Sequence, residues 1–281
     1  MILFKTTHPL QAYLQDAHHR GLTVGFVPTM GALHQGHLSL IAASNQVNDI
    51  TVVSIFVNPA QFNDKKDFEQ YPVTIEKDIE WLVAAGAGVL FLPAVTEIYP
   101  PGLTRERFFD LGYLETVLEG KYRPGHFQGV CKVMNRLLDI VQADDLYMGQ
   151  KDYQQCMVVK RLLAIMQSPT RLHTCPTLRE KDGLAMSSRN TRLGAEQRKN
   201  ALAIYAALNY IKGQLRLGST QSLTDNAAAM LTEKDFNIDY VTIADAGTLE
   251  PVTVWDGKQQ LVALIAAFQK EVRLIDNMIM N

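Results

Sequence analysis

Two histidines three residues apart, His34 and His37, stand in the stretch Val27-Pro28-Thr29-Met30-Gly31-Ala32-Leu33-His34-Gln35-Gly36-His37. A strand-length apolar run, Leu22 to Val27, precedes them, and Leu38 to Ala43 follows with helical spacing. If the helix begins that early, both imidazoles share a face of its first turn. Unpaired N–H groups at a helix start attract an anion, Gly31 and Gly36 allow a ligand close to the backbone, and an imidazole adds a donor or, once protonated, a charge. Such a set suits a triphosphate. Surface histidines and a metal pair are the other readings, but histidine pairs that bind metal usually stand four apart with a third ligand nearby, and none is evident in the sequence.

Other polar clusters follow strand-like runs in the same way. Gly149, Gln150, Lys151 and Asp152 form a turn before a helix, where a lysine can meet a phosphate as a compact charge, and Gln155 stands one turn further on. Asn58, Pro59 and Gln61 end another run. Lys181 to Asn190 carries Met186, Ser187, Ser188 and Arg189 in consecutive positions, able to wrap phosphates with hydroxyls and a forked guanidinium, or to serve as a polar linker between domains. Arg123 and His126 flank a helix start and can be brought toward a site.

The elements that must position these groups alternate. Ile50 to Val57, Val89 to Leu92 and Asp145 to Met148 read as strands, and Ile75 to Ala84, His126 to Val141 and Tyr153 to Met166 as helices. Repeated βα units predict an α/β fold, a Rossmann-like doubly wound parallel sheet with ligands beyond the strand C-terminal ends. After Gly194 the pattern changes to a long helix reaching Leu217, a second near Leu223 to Thr232, and apolar runs at Ile238 to Ala244, Gln260 to Ala267 and Val272 to Ile275 that predict a small antiparallel sheet. The expected division is residues 1–179 as a nucleotide-binding domain and 180–281 as a smaller C-terminal α+β domain acting as a lid. A formal net charge of -2 argues against a nucleic-acid binder. Three cysteines without paired spacing, no secretory leader and no membrane-length apolar run predict a cytoplasmic protein.

Taken in order, PTMGALHQGH (28–37), SIFVNPAQF (54–62), YP (71–72), EIYP (97–100), LEGKYRPGHFQGV (118–130), GQKDYQQ (149–155), KDGLAMSSRN (181–190) and RLIDN (273–277) make the chain resemble the pantothenate synthetase family, ATP-dependent ligases of pantoate and β-alanine, over nearly its whole length. The first block and MSSRN are also similar to the two signatures of the wider HIGH/KMSKS nucleotidyltransferases. The resemblance implies ATP at Met30, Gly31, Ala32, Leu33, His34, Gln35, Gly36 and His37, at Gly149, Gln150, Lys151 and Asp152, at Leu178, and at Met186, Ser187, Ser188 and Arg189. It implies catalytic roles for His34, His37, Lys151, Ser187, Ser188 and Arg189, pantoate at Gln61 and Gln155, and β-alanine at Gln61. It further implies Mg2+ with the ATP, its ligands left open among acidic side chains after the Gln61 loop with Asp78 a candidate, and a homodimer. Two rival functions are a nucleotidyltransferase acting on a phosphate substrate and a non-catalytic adenine-nucleotide sensor.

Overall fold

A computed structural model of the chain describes residues 1–62, 68–101 and 107–281. Its contacts divide it into two units, Met1–Gln150 with Gln154–Pro176, and Lys151–Tyr153 with Thr177–Asn281.

The first unit is built on a six-stranded sheet of β1 (Ile2–Phe4), β2 (Val24–Thr29), β3 (Ile50–Ile55), β4 (Val89–Phe91), β5 (Asp145–Gly149) and β6 (Arg171–Cys175), in the order β1-β4-β3-β2-β5-β6. Every pairing is parallel, as the βα alternation predicts. Because β3 lies on one side of β2 and β5 on the other, the winding reverses there, and in such sheets ligands bind beyond the C-terminal ends of the strands at that point. β3 is buried along its whole length, which its β-branched run anticipates. β2 runs two residues beyond the expected Val27, through Pro28. Its pairing with β5 ends at Phe26, so a residue lacking an N–H is tolerated where only the β3 side continues.

Helices α1 (Thr7–His19), α2 (Gln35–Asn45), α3 (Ile75–Ala84), α4 (His126–Val141) and α5 (Tyr153–Met166) complete the unit. The last three span the residues that their periodicity predicts. α4 shows why: Val130, Val133, Met134, Leu137, Leu138 and Val141 recur at helical spacing and are all buried in the main core with Phe26, Val52 and Leu146. Truncating one such leucine to alanine typically costs about 2–5 kcal/mol. The sequence reading omits α1, β1 and β6. In α1, Leu10, Leu14 and Ala17 do repeat at helical spacing; β1 has three residues; β6 is a partly exposed edge strand, Arg-Leu-His-Thr-Cys, without an apolar face to mark it.

The second unit packs α6 (Ala195–Gln214) and α7 (Gln221–Thr232) with a three-stranded antiparallel sheet of β8 (Phe236–Asp245), β10 (Leu261–Gln269) and β11 (Val272–Ile279), order β11-β10-β8. The short strands β7 (Gly218–Ser219) and β9 (Val254–Trp255) pair separately. Leu261, Ala263, Ile265 and Ala267 of the central strand alternate into one core with Ile204, Leu208 and Ile211 of α6. The α+β expectation for this part of the chain therefore holds. Lys151–Tyr153 join this unit although the strand before them and the helix after them belong to the first.

Candidate active site

The loop after β2 is shaped by side chains that satisfy its backbone. Thr29 donates its hydroxyl to the Ser54 carbonyl at 2.8 Å and accepts the Gly31 N–H at 3.2 Å. Asp78, buried on α3, accepts the N–H groups of Ala32 at 2.9 Å and Leu33 at 2.8 Å, and the Thr74 hydroxyl at 3.1 Å. Gly31 has φ +82°, and a Cβ there would lie 3.1 Å from both Asp78 Oδ2 and Ile55 Cγ2, so the turn calls for glycine. Helix α2 then starts at Gln35 with His34 as its N-cap: His34 Nδ1 accepts the Gly36 N–H at 3.1 Å, and His37 Nδ1 accepts the His34 N–H at 3.3 Å. The rings lie 4.0 Å apart. An Nδ1 that accepts cannot carry a proton, so each neutral imidazole bears its hydrogen on Nε2. The amides of residues 32, 33, 34 and 36 are already bonded to side chains, so the row of unpaired amides that the sequence suggests is not what this segment presents.

Beside this loop, the turn after β3 is held by Asn58, which is buried. Its Oδ1 accepts the Ala60 N–H at 3.2 Å and the Tyr99 hydroxyl at 2.9 Å, and its Nδ2 donates to the Gly129 carbonyl at 3.2 Å and to Gln61 Oε1 at 3.3 Å. Gln61 Nε2 lies 2.9 Å from Met30 Sδ, tying this turn to the one before α2. His126 Nδ1 stands 2.8 Å from the Gln61 carbonyl and must donate to it; Nε2 then accepts from Arg123 at 3.1 Å, and Arg123 also donates to the Gln61 carbonyl at 3.4 Å. A Cβ at Gly129 would strike the backbone of Ala60, so α4 approaches the Gln61 turn as closely as a glycine permits. Of the adjacent glutamines on α5, buried Gln154 is a brace, donating to the Leu114 and Val117 carbonyls and accepting the Glu119 N–H, whereas Gln155 is half-buried.

In the second unit, residues 178–186 fold back on themselves, with Met186 N–H donating to the Leu178 carbonyl at 3.1 Å and Glu180 N–H to the Leu184 carbonyl at 2.8 Å. A 3-10 turn, Ser188–Arg192, follows, capped by the Ser187 hydroxyl accepting the Arg189 N–H at 3.3 Å. Arg179 pairs with Asp276 through two bonds of 2.6 and 3.0 Å. Burial raises the Asp276 carboxyl above its ordinary value, and Arg179 offsets part of that rise. Asn277 donates its side-chain N–H to the Lys151 carbonyl at 2.9 Å, and the Tyr153 hydroxyl donates to the Ala246 carbonyl at 2.7 Å. The Lys151 ammonium is 3.8 Å from Asp152 Oδ1.

A family model described as pantoate-beta-alanine ligase matches residues 2–279. The chain belongs to that family. It is 43% identical over 280 residues to the pantothenate synthetase of Bacteroides thetaiotaomicron, covering 99% of this chain and 98% of the relative, and 42% identical to that of Moorella thermoacetica, covering 100% and 99%. Among solved structures, the pantothenate synthetase of Thermus thermophilus superposes with a TM-score of 0.92 at 40% identity, covering 99% of both chains. The pantoate-beta-alanine ligase of Francisella tularensis, complexed with beta-gamma ATP and beta-alanine, gives 0.83 at 34% identity, covering 100% and 98%.

As a pantoate-beta-alanine ligase, the chain is an enzyme that forms a carbon–nitrogen bond. Within the first unit the structure brings together Met30, His34, His37 and Gln61; within the second, Lys151 and Asp152 lie in the turn that Asn277 holds, and Leu178 and Met186 pair in the loop leading to Ser187, Ser188 and Arg189. Asp78 gives its carboxylate to the loop backbone instead of presenting it to solvent, which does not suit a metal ligand. Among the described residues no group of three His, Cys, Asp or Glu could hold a metal ion, and positions 64 and 67, acidic residues after the Gln61 loop, lie outside the described residues. Sequence reasoning missed the bracing roles of Tyr99, Gln154, Arg179, Asp276 and Asn277. Only the RLIDN block signalled the last two, without a reason for its residues.

Proposed function

We propose that this chain condenses pantoate with β-alanine in two steps driven by ATP. A carboxylate resists attack by an amine, so it needs a leaving group first. A pantoate carboxylate oxygen attacks the α-phosphorus, the bond to the β-phosphate bridging oxygen breaks and pyrophosphate departs; the neutral β-alanine amine then attacks the acyl carbon, AMP leaves with the oxygen from pantoate, and the nitrogen releases a proton. In this reading His34 and His37 donate Nε2–H to phosphate oxygens, Lys151 and Arg189 neutralise charge that builds during the first step, Ser187 and Ser188 add donors, and Gln61 and Gln155 hold pantoate by its hydroxyls and carboxylate. Gln61 would also contact β-alanine in this reading.

The single observation that supports this most is the Met30–Gln61 contact at 2.9 Å, which joins the turn before the histidine-capped helix to the amide-bearing turn after β3. Two loops at the C-terminal edge of one sheet thereby offer phosphate donors and polar groups for a hydroxy acid side by side. Mg2+ would accompany the ATP phosphates and supply charge neutralisation there. The second unit would close over the adenylate and keep water from it. No described helix is long and apolar enough to cross a membrane; the reading places the enzyme in the cytoplasm as a homodimer.

The test is isotopic. With pantoate labelled at its carboxylate oxygen, one labelled oxygen should appear in AMP, and pyrophosphate exchange into ATP should require pantoate. Exchange that needs a phosphate ester instead would establish the nucleotidyltransferase, and ATP binding with no exchange would establish the sensor.

A further inference from the structure

We propose that Asp276 and Asn277 are positioning residues for adenylate formation, acting on Lys151 and on the base of the Ser187–Arg189 loop at once. The inference rests on the reading of Lys151 given above. Three segments far apart in sequence meet at this point of the second unit: the Lys151 turn, the start of the 178–186 fold-back, and the end of β11. An ion pair built on a buried carboxylate such as Asp276 adds little net stability, because desolvation consumes much of the attraction. A pair whose hydrogen bonds are spread over several segments does something else: it fixes a register.

The hydrogen bonds of Arg179 are spread in that way. Its guanidinium meets both oxygens of Asp276, donates to the Gly183 carbonyl at 3.1 Å and to the Asn277 carbonyl at 3.4 Å, and lies 4.4 Å over the Tyr205 ring. Gly183 has φ +98°, and a Cβ there would run into the Tyr205 ring, so the fold-back closes tightly around the arginine. Arg179 itself bridges Ala185, two residues before Ser187. On the other side, Asp276 Oδ1 accepts the Asn277 N–H at 2.8 Å, which orients the next side chain, and that side chain holds the Lys151 carbonyl at 2.9 Å. Lysine is a flexible point charge, so fixing its backbone removes much of its freedom to miss a phosphate. Asp276 is 4% exposed and Asn277 is 2% exposed, out of reach of any substrate themselves.

The experiment compares Asn277→Ala with the parent, each with Lys151 intact and as Lys151→Ala. Its readouts are pantoate-dependent pyrophosphate exchange, amide formation from synthetic pantoyl adenylate, and thermal unfolding. With Lys151 intact, Asn277→Ala should lower kcat for exchange by up to about 10²-fold, the scale of a small misplacement of a catalytic group. The KM for pantoate should stay within about twofold and amide formation should hold, the split expected when only a transition-state contact is lost. In the Lys151→Ala background the same substitution should cost nothing more. If Asn277→Ala fails to fold, Asn277→Leu, of similar volume and without a donor, is measured instead. Equal losses in both backgrounds, or equal slowing of both half-reactions, would overturn the positioning role. Normal exchange in Asn277→Ala alongside a crippled Lys151→Ala overturns only this inference, whereas normal exchange in Lys151→Ala overturns the reading beneath it as well.

Discussion

The turn before α2 and the loop from 178 to 192 are both read as phosphate-binding, yet they are stiffened by opposite means. In the first, an acidic side chain and two imidazole nitrogens accept backbone N–H groups: Asp78 holds residues 32 and 33, and the histidines hold residues 34 and 36. In the second, a partly exposed guanidinium paired with the buried Asp276 carboxylate sets the shape, with a lysine and a second arginine on the segments they brace. The first segment is held by acceptors on its backbone amides; the second is braced by an ion pair and by a neutral amide on the Lys151 carbonyl. Under the proposed function, the contrast teaches that the two regions differ in what they would offer a nucleotide, directional donors from one and electrostatic neutralisation from the other.

That contrast can be broken most sharply at Lys151. Lys151→Ala should slow pantoate-dependent pyrophosphate exchange about 10²- to 10³-fold, while amide formation from preformed pantoyl adenylate changes far less; equal slowing in single-turnover assays would remove the distinction. His37→Ala should cost about 10²-fold in exchange. Because its Nδ1 accepts a backbone N–H, the donor is uncharged, so His37→Gln should recover more activity than His37→Lys, and the reverse ranking would mean that charge matters in both regions. Gly129→Ala tests the neutral region from behind: the new methyl must push the Ala60–Gln61 backbone, raising the KM for pantoate by about tenfold while ATP affinity holds.

Smaller effects concern stability. Asp78→Ala leaves the amides of residues 32 and 33 without their acceptor and should lower unfolding free energy by about 1–3 kcal/mol in denaturant titrations. The least effect is expected far from both regions, at Asp145. Burial pushes its carboxyl up, but hydrogen bonds from Arg171 and His173 outweigh that and hold it below the ordinary 3.8. A depressed carboxyl stabilises the fold above its unfolded value and loses that contribution as pH falls below about 3.8 and through the folded value. Acid titrations of Asp145→Asn should therefore lack the part of the stability loss that the parent shows in that window.

Sequence legibility followed the length and regularity of each pattern. α3, α4 and α5 were readable because ten or more residues repeat an apolar face that the core requires, and β3 because a central strand is apolar on both sides. β6 was not, since an edge strand with arginine and histidine has no contrast to display. Among the candidate site residues, His34, His37 and Lys151 stand out in the sequence by residue type after a strand, and the structure puts both imidazoles at the start of α2. Asp78 is a metal candidate only through the family resemblance, and the fold gives its carboxylate to the backbone. The task of Asn277 was hidden for a simpler reason: it grips a main-chain carbonyl 126 positions away, and no residue type at 151 records that.

The grouping of Lys151–Tyr153 with the C-terminal unit has a practical corollary for dissection by truncation. A gene cut after Pro176 would encode every strand of the parallel sheet while depriving the lysine turn of the asparagine and the Ala246 carbonyl that steady it. Such a fragment is the wrong reagent for measuring how tightly the parallel-sheet half alone grips nucleotide, because the cut also removes the supports of Lys151, which the proposed function assigns to phosphate.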